Sequence, residues 1–311
     1  MKRMLMALVL LLSGWSGTLW AACTGSSSST ELGSISSFTL ASTAQVVESG
    51  TGFTCSGSAL SLLSTNTVTG TISSSANASG TTPRFYNSST GSYVPYSICS
   101  DSACSTVYNI GSSKTWSSTS LLGLLGLFNA SDGSLPLYLK TTTGANVPAG
   151  TYTDTLTLSW NYSICFVGVL GLCVYTTGTA TSTIQLQFEV TNDCAIDSAP
   201  DVDFGSASLP ASFSAVSSTL AVRCTLNAAY SINLASSHAS SGDWRQMSNG
   251  DSLLQYQLYQ SDGTAWTASN DLSETGTGAA QNINYSAKVN PDQTNQPAGS
   301  YSDTVTVTVT Y

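Results

Sequence analysis

Charged side chains are scarce in this 311-residue sequence. They account for 8% of the residues, and only 8 residues are Lys or Arg, which leaves a formal net charge of −9. So acidic a chain, without basic clusters, is not suited to hold nucleic acid or an anionic membrane by charge. We therefore expect no nucleic-acid partner.

Residues suited to catalysis are also few. The one histidine, His238, lies in a Ser-rich run without the signals of a catalytic triad, so a solvated loop is its expected position. Asp197, Asp201 and Asp203 lie close together, but this spacing is common in turns and is only a weak signal for calcium. The sequence has no Gly-rich phosphate loop. It predicts no enzyme, no cofactor and no metal.

Long helical periods are missing as well. Thr, Ser, Gly and Asn dominate instead, a composition that disfavours helices and favours strands and turns. Hydrophobic residues make up 41% of the chain, which is enough for real cores. The length fits two domains of about 150 residues each.

The first 22 residues have the pattern of a secretory signal. Two basic residues precede the apolar run Met4–Leu12, and two small residues precede Cys23. The run is too short to span a bilayer, and no later segment is long and apolar enough to do so. We expect an exported mature protein that begins near Cys23. Lipidation of Cys23 is the alternative, but Trp20 fits such a cleavage site badly.

One segment of the sequence occurs twice. Pro148–Trp160 (PAGTYTDTLTLSW) and Pro297–Val309 (PAGSYSDTVTVTV) share seven of thirteen positions at an offset of 149 residues. The alternation of Thr with Leu or Val is the period of a β-strand with one face on a core. Two copies imply two related domains, which we assign to residues 23–191 and 192–311.

Short β-rich segments, separated by turn-rich runs, recur along both domains and predict antiparallel sandwiches. In the first domain they are Ser36–Ala41, Thr51–Cys55, Ala59–Leu63, Thr67–Ser73, Arg84–Tyr86, Val94–Cys99, Leu135–Thr141, Thr151–Tyr162 and Thr183–Val190. In the second domain they are Val202–Phe204, Ser218–Cys224, Tyr230–Leu234, Leu253–Tyr259, Gln281–Lys288 and Ser300–Tyr311. The two-residue linker at 192–193 favours domains stacked end to end.

Eight cysteines in an exported chain predict disulfides. Their number leaves the connectivity open, but each domain has two cysteines about thirty residues apart near its start, and the repeat makes these bridges equivalent. The other four are close in sequence and would close two small loops. A metal site of four cysteines is the alternative, although the paired spacings do not resemble zinc knuckles. The predicted pairs are Cys23–Cys55, Cys194–Cys224, Cys99–Cys104 and Cys165–Cys173.

The second domain carries several short motifs that resemble the spore coat protein U domain family. They are Cys194-Ala-Ile, Phe204-Gly205, Val222-Arg223-Cys224, Tyr256-Gln-Leu-Tyr259 and Pro297-Ala-Gly-Ser-Tyr-Ser-Asp303 with the Thr-Val alternation after it. The first domain follows the plan more loosely. The family supplies subunits of archaic chaperone–usher pili in Gram-negative bacteria, and two-domain members resemble the tip adhesins of such pili.

The resemblance implies an immunoglobulin-like fold that lacks its last strand. It also implies partners: a periplasmic pilus chaperone, an outer-membrane usher, and a next pilus subunit whose N-terminal extension fills the gap. The residues expected to contact the chaperone or the donated strand are Val305, Val307, Val309 and Tyr311.

The sequences C-terminal to the two copies of the repeat differ. After the first copy, Thr183–Val190 alternates again and offers a closing strand, whereas after the second the sequence stops. A sandwich that is one strand short exposes an apolar cleft and unpaired edge groups, which aggregate unless another chain pairs there. A subunit that donates a strand needs roughly ten free residues before its fold. With Cys23 at the expected cleavage point, we expect a subunit that accepts a strand without donating one, at the pilus tip.

Two apolar runs, Leu121–Phe128 and Phe166–Leu172, depart from the sandwich pattern. Glycines interrupt both runs and suit turns, and neither run has a counterpart in the second domain. Exposed hydrophobic fingers and buried loops remain the two interpretations. An exposed apolar patch marks a binding surface. With the loop Tyr86–Tyr96, the residues expected to bind surfaces are Leu121, Leu122, Leu124, Leu125, Leu127, Phe128, Phe166, Val167, Val169, Leu170, Leu172, Tyr93 and Val94.

The sequence thus predicts a two-domain tip adhesin that is exported through the periplasm to the cell surface. Its first domain would attach bacteria to abiotic or hydrophobic surfaces and start a biofilm, because burial of apolar area is favourable and unspecific. The alternatives are a shaft or adaptor subunit of the pilus, a secreted structural coat protein and a carbohydrate-binding module.

Overall fold

The computed structural model describes residues 22–56, 60–61, 65–118, 127–169 and 172–311. Nearly all regular structure in these residues is β-strand, as predicted. No helix in these ranges has the length and apolar character needed to cross a membrane.

The first domain contains short strands and two long ones. Its elements are β1 (Ala22–Gly25), β2 (Ser27–Ser36), α1 (Ser37–Ser42), β3 (Val46–Gly50), β4 (Phe53–Ser56), β5 (Leu60–Ser61), β6 (Asn66–Ser75), β7 (Arg84–Asn87), β8 (Ser92–Cys99), β9 (Val107–Tyr108), β10 (Ser113–Ser118), β11 (Pro136–Thr141), β12 (Gly150–Val169) and β13 (Leu172–Thr191).

Most strands of this domain form two packed layers, and β1 and β4 pair in a separate two-stranded sheet. One layer has the order β10-β6-β12-β13-β2, and the other has the order β7-β8-β11-β3. A pair between Thr153 and Tyr86 joins them. The pairing is largely antiparallel, but β2 runs parallel to β13, which the prediction of purely antiparallel sandwiches did not include.

Aromatic side chains fill the core between the layers. Trp160 is fully buried and stacks on Phe53, with ring centroids 4.5 Å apart, while Trp116 lies 5.6 Å from it. Gly70 lies directly over the indole of Trp160, and a Cβ there would come within 2.5 Å of the ring. Only glycine therefore lets β6 pass this tryptophan.

The predicted closing strand is present in the first domain. β12 and β13 pair along their full length as one hairpin of two 20-residue strands. The inward side chains of β13 are almost fully buried. Burial of each one stabilises the domain by roughly 1.5–3 kcal/mol of transfer free energy. These residues are Ile184, Leu186, Phe188 and Val190.

The second domain is a smaller sandwich. Its elements are β14 (Cys194–Ser198), a 3₁₀ turn (Pro210–Ser212), β15 (Val216–Cys224), β16 (Ala229–Ser236), β17 (Arg245–Asn249), β18 (Ser252–Gln260), β19 (Leu272–Thr275), β20 (Ala280–Val289) and β21 (Val305–Thr310). One sheet has the order β14-β15-β20-β18-β17, and the facing sheet has the order β19-β16-β21. Trp266 is fully buried between them and donates its indole N–H to the carbonyl of Ile232.

The two domains touch beside the short linker. The hydroxyls of Ser37 and Thr225 are 2.6 Å apart and buried. The guanidinium of Arg223 lies 4.8 Å from the ring centroid of Phe38, and the side chain of Asn146 donates to the carbonyl of Thr277 at 3.0 Å. These contacts agree with the stacked arrangement expected from the linker.

Three predicted strands differ in the structure. Ser36–Ala41 largely forms the short helix α1, because the Ser36 hydroxyl accepts a hydrogen bond from the backbone N–H of Thr39 and caps it. Val202–Phe204 forms no strand, and only Val305–Thr310 of the last predicted strand is regular. The last two line one cavity in the second domain, which is described below.

Candidate functional site

The two copies of the repeated segment have different neighbours in the structure. β12 pairs with β6 on one side and with β13 on the other. Its counterpart β21 pairs with β16 on one side, and no strand of the described residues pairs with its outer edge. The second domain therefore has an open strand edge where the first domain is closed.

Equivalent residues of β12 and β21 also differ in burial. Leu156 and Leu158 are fully buried, whereas their counterparts Val305 and Val307 remain half-buried. Val309 is also half-buried, and Tyr311 is 55% exposed. All three valines pack against the core of the second domain from its open side. Their expected contact with a partner strand stays a prediction.

A cavity of about 630 Å³ lies beside this open edge. Its floor is apolar and includes side chains from both sheets of the second domain. One rim is the segment Gly299–Val307, and the other is the irregular segment Ala199–Ser206. The floor residues are Leu220, Leu234, Met247, Leu254, Leu258 and Trp266.

A polar network anchors the start of β21 at the cavity. Asp303 accepts hydrogen bonds from the hydroxyls of Tyr256 (2.6 Å), Ser237 (2.7 Å) and Ser236, and from the ring of His238 (2.9 Å). Burial alone would raise the pKa of Asp303, but these hydrogen bonds outweigh it and lower the pKa to about 2. His238 lies in a partly exposed loop, as the sequence predicted, and its ring also contacts the carboxylate of Asp303.

This network does not have the geometry of a catalytic triad. The hydroxyl of Ser237 (3.3 Å) and the carboxylate of Asp303 (2.9 Å) both contact Nδ1 of His238, whereas a triad places the nucleophile on the other ring nitrogen. The first domain has the same anchor without a histidine, since Asp154 accepts from Ser75 and Tyr96. The repeated aspartate is therefore a structural element, and its occurrence in both copies was the sequence signal for it.

We expect Asp303 to make the second domain sensitive to acid. Its folded pKa of about 2 is depressed from the ordinary 3.8, so its stabilising effect is present above that value and is lost as the pH falls toward 2. Asp303→Asn should flatten this part of the pH dependence of unfolding, measured by tryptophan fluorescence on the protein in complex with its expected chaperone. Asp251→Asn, at an exposed residue, is the control and should leave it unchanged. An identical acid transition in both variants would contradict the assignment.

The far end of the first domain is the second candidate surface. Asn66, at the start of β6, pairs with Ser118 at the end of β10, and its side chain accepts a hydrogen bond from the backbone N–H of Cys165 (2.7 Å). β5 pairs with Val167 and Gly168 of β12. The described residues next to both predicted apolar fingers thus converge at the end of the hairpin that is remote from the second domain.

Two exposed apolar side chains lie at this end. Val174 is 69% and Tyr175 is 45% exposed, and they directly follow the disulfide between Cys165 and Cys173. The sequence-based prediction did not include them, because it ended at Cys173, although the apolar character continues through both residues. We name Val174 and Tyr175 the hairpin-end patch.

The predicted fingers fall partly outside the described residues. Leu121, Leu122, Leu124, Leu125 and Leu170 lie there, so their expected exposure stays a prediction. Phe166, Val167 and Val169 belong to β12, and Leu172 begins β13.

The structure also places four of the expected surface-binding residues away from that role. Leu127 and Phe128 are half-buried and pack on the core, with Phe128 stacked 6.4 Å from Phe53. Val94 is fully buried, because it occupies an inward position of β8. Tyr93 is 40% exposed, but it lies under Arg84 and far from the end of the hairpin.

The distance between Tyr93 and the end of the hairpin follows from the length of β12. Tyr93 pairs with Tyr86, which pairs with Thr153 of β12. Thr153 and Cys165 are twelve residues apart along one strand, which corresponds to roughly 40 Å. Tyr93 and the hairpin-end patch therefore cannot belong to one binding surface.

All four predicted disulfides are present, and the described residues contain no free cysteine. The Cys194–Cys224 bridge closes a long loop in the second domain, with a sequence separation of 30. Replacing both cysteines by Ala should lower the free energy of unfolding by roughly 2–5 kcal/mol in a urea titration of the protein in complex with its expected chaperone. Removal of Cys99–Cys104, with a separation of 5, should cost less. Equal losses would contradict an effect of loop length.

The fold and this cavity define a two-domain, immunoglobulin-like all-β protein with one open sandwich edge, a surface suited to β-strand addition. The chain belongs to the Spore Coat Protein U domain family, whose model matches residues 10–159 and 180–308. The match covers both domains, including the first, where the sequence motifs were looser. No curated protein sequence matches the chain significantly.

The comparison with solved structures found pilus proteins. The crystal structure of the CsuC–CsuE chaperone–tip adhesion subunit pre-assembly complex from archaic chaperone–usher Csu pili of Acinetobacter baumannii is similar at 26% identity, with a TM-score of 0.60, over 94% of this chain and 100% of that chain. CfaE, the adhesive subunit of CFA/I fimbria of enterotoxigenic Escherichia coli, is 12% identical, with a TM-score of 0.38 over 93% of each chain. The CupB6 tip adhesin of Pseudomonas aeruginosa is 13% identical, with a TM-score of 0.36 over 94% of this chain and 93% of that chain. Because their TM-scores are below 0.5, the similarities to CfaE and CupB6 carry no argument about function.

Proposed function

We propose that this protein is the tip adhesin of a chaperone–usher pilus. Its second domain would join the pilus by accepting a strand from the next subunit. Its first domain would attach the cell to abiotic or hydrophobic surfaces and so start a biofilm. The protein would pass through the periplasm of a Gram-negative bacterium with a pilus chaperone, and through an outer-membrane usher to the cell surface.

The open edge of β21 carries this proposal. A strand edge beside an apolar cavity is an aggregation hazard in an isolated chain, and natural proteins cover such edges. In the first domain, the equivalent edge of β12 is covered by β13. The likeness to the CsuC–CsuE complex supports a chaperone as the covering partner before assembly.

The division of labour between the domains supports the tip position. The first domain has its own closing strand, β13, and therefore needs no donated strand on β12. Its far end presents the hairpin-end patch and is remote from the open edge of the second domain. A subunit anchored through the second domain would direct this end away from the pilus.

Periplasmic expression with and without the cognate chaperone tests the proposal. Alone, the protein should aggregate or be degraded, because the cavity beside β21 is uncovered. With the chaperone it should be recovered as a soluble heterodimer. A stable monomer that unfolds cooperatively in the absence of any partner would overturn the proposal.

A further inference from the structure

Arg245, at the start of β17, is a buried arginine of the second domain. Only 4% of the residue is exposed, although a charged side chain is seldom buried without a specific reason. Resting on the proposed strand acceptance, we infer that Arg245 is a positioning residue for this step. It holds one wall and the floor of the cavity in place while no strand fills the cavity.

The guanidinium of Arg245 joins parts of the domain that belong to different sheets. Its Nη2 donates to the carbonyls of Leu234 and Trp266, at 2.7 Å each, and its Nε donates to the side-chain oxygen of Gln257 at 3.2 Å. Gln257 belongs to β18, beside β17, whereas Leu234 belongs to β16 of the facing sheet. Because the donors of a guanidinium have fixed relative positions, these bonds set the distance between the sheets at this point.

Leu234 and Trp266, whose carbonyls accept from Arg245, both line the cavity. Trp266 is fixed further, since its backbone N–H donates to the carbonyl of Leu258 at 2.7 Å and its indole N–H donates to that of Ile232 at 3.1 Å. Arg245 lies behind these two residues and is not part of the lining. It therefore acts on the cavity through Leu234 and Trp266 and not through contact with a strand inside it.

An ion pair does not explain the burial of this charge. The described residues form two ion pairs, and Arg245 takes part in neither. Its hydrogen-bond partners are two carbonyls and an amide oxygen, all neutral. Burial lowers the pKa of the guanidinium, and the nearby Tyr256 and Asp303 oppose this shift only from a distance. What the buried guanidinium provides is the bridge between the sheets.

The first domain has an uncharged residue at the equivalent position. Tyr96 and Tyr256 are equivalent, because each donates its hydroxyl to the repeated aspartate, at 2.7 and 2.6 Å. Arg245 pairs with Tyr256, whereas Pro83 lies opposite Tyr96 and accepts a hydrogen bond from its backbone N–H at 3.1 Å. Pro83 is buried as well, but its side chain has no donor that could bridge the sheets.

The closing strand explains why the first domain needs no such bridge. Phe188 of β13 fills the space between the layers, with its ring centroid 4.7 Å from that of Phe85 and 5.3 Å from that of Tyr152. The equivalents of these two residues in the second domain are Met247 and Tyr301, and both line the cavity. A side chain of the domain itself thus separates the layers in the first domain, and Arg245 separates them in the second.

Arg245 opposes collapse of the cavity. The walls of an apolar cavity without a strand tend to approach each other, because this removes apolar surface from water and restores close packing. A shorter distance between the sheets would break the bonds to Leu234 and Trp266 and leave a buried charge without partners, which is costly. The bridge therefore keeps the cavity accessible while one strand leaves it and another enters.

Strand exchange on the chaperone complex tests this role. The probe is a synthetic peptide with the sequence of the N-terminal extension of the next pilus subunit, and release of the chaperone is followed by size-exclusion chromatography. Arg245→Met keeps the length of the side chain without its donors. It should release the chaperone about tenfold more slowly, the factor that corresponds to one hydrogen bond of a charged group. Arg223→Met, at an arginine whose side chain is 42% exposed, is the matched control and should release it at the normal rate.

Arg245→Lys separates the bridge from the charge. A lysine keeps the positive charge, but its ammonium group cannot reproduce the planar fork. Its rate of release should lie between those of the wild type and Arg245→Met. If Arg245→Met is not recovered with the chaperone, the slower release is sought with Arg245→Lys alone. Release by Arg245→Lys at the wild-type rate would mean that the charge suffices, and would overturn the bridge.

Hydrogen exchange of the chaperone complexes distinguishes positioning from general stability. In the Arg245 variants, the amide of Trp266 should exchange faster, because the segment that carries it loses its bond to the guanidinium. Exchange in β15 and β20, which Arg245 does not contact, should be unchanged. Faster exchange throughout the second domain would show that Arg245 only stabilises the fold, and would contradict a positioning role.

The outcomes separate this inference from the proposed function. If the wild type releases its chaperone on addition of the peptide and the Arg245 variants do so at the same rate, the inferred role of Arg245 is wrong while strand acceptance stands. If the wild type keeps its chaperone at every concentration of the peptide, or is stable without any partner, strand acceptance itself is wrong.

Discussion

Replacing Val174 and Tyr175 together by Ser should remove most attachment of the bacteria to hydrophobic plastic. The two side chains are 69% and 45% exposed at the end of the first domain that is remote from the open edge. Apolar area that leaves water on contact contributes about 25 cal/mol per Å², and this contribution is lost in the double variant. Because exposed substitutions usually change stability by less than about 0.5 kcal/mol, display of the pilus should be normal.

Tyr93→Ser is the matched control for this experiment. Tyr93 and Tyr175 are the same residue type with similar exposure, 40% and 45%, but they lie at opposite ends of the first domain. Pilus display and adhesion are measured in the same cells. Normal adhesion of the double variant, or an equal loss with Tyr93→Ser, would contradict attachment through the hairpin end.

Leu186→Asp should prevent recovery of the protein even in the presence of its chaperone. Leu186 is fully buried on β13, and an unpaired carboxylate in that position lacks a partner that could compensate its desolvation. A chaperone that covers the open edge of the second domain cannot replace β13, which is part of the first. The milder Phe188→Ala should lower the free energy of unfolding by about 3–5 kcal/mol.

Gln187→Asp controls for the effect of charge on the same strand. Gln187 is adjacent to Leu186 but faces solvent, so this variant should be recovered at the normal level in the chaperone complex. Equal recovery of Leu186→Asp and Gln187→Asp would mean that β13 does not close the first domain as the structure has it.

Features that depend on sequence periodicity or on the repeat were predictable. The two copies of the repeated segment located β12 and β21, and the alternation of Thr183–Val190 identified the closing strand. The disulfide pairs followed from cysteine spacing, because each domain repeats the bridge near its start. Such signals are local or internal to the sequence and do not need the tertiary fold.

Features that depend on neighbours in space were not predictable. Ser36–Ala41 alternates like a strand, but a side-chain cap and the buried Leu40 make it a helix. Val202–Phe204 has the sequence of a strand, but no strand of the described residues pairs with it. Val94 and Tyr93 looked alike as loop residues, yet the register of β7 and β8 buries the first and exposes the second.

The long hairpin of the first domain also has a mechanical consequence. β13 runs from the far end of the domain to Thr191, where the chain enters the second domain. Tension between a surface held at the hairpin-end patch and the pilus would therefore act along the backbone of β13 itself, from Tyr175 to Thr191. The covalent chain then carries the load, and the hydrogen bonds between β12 and β13 are not peeled open one after another. This geometry suits an attachment that must resist flow.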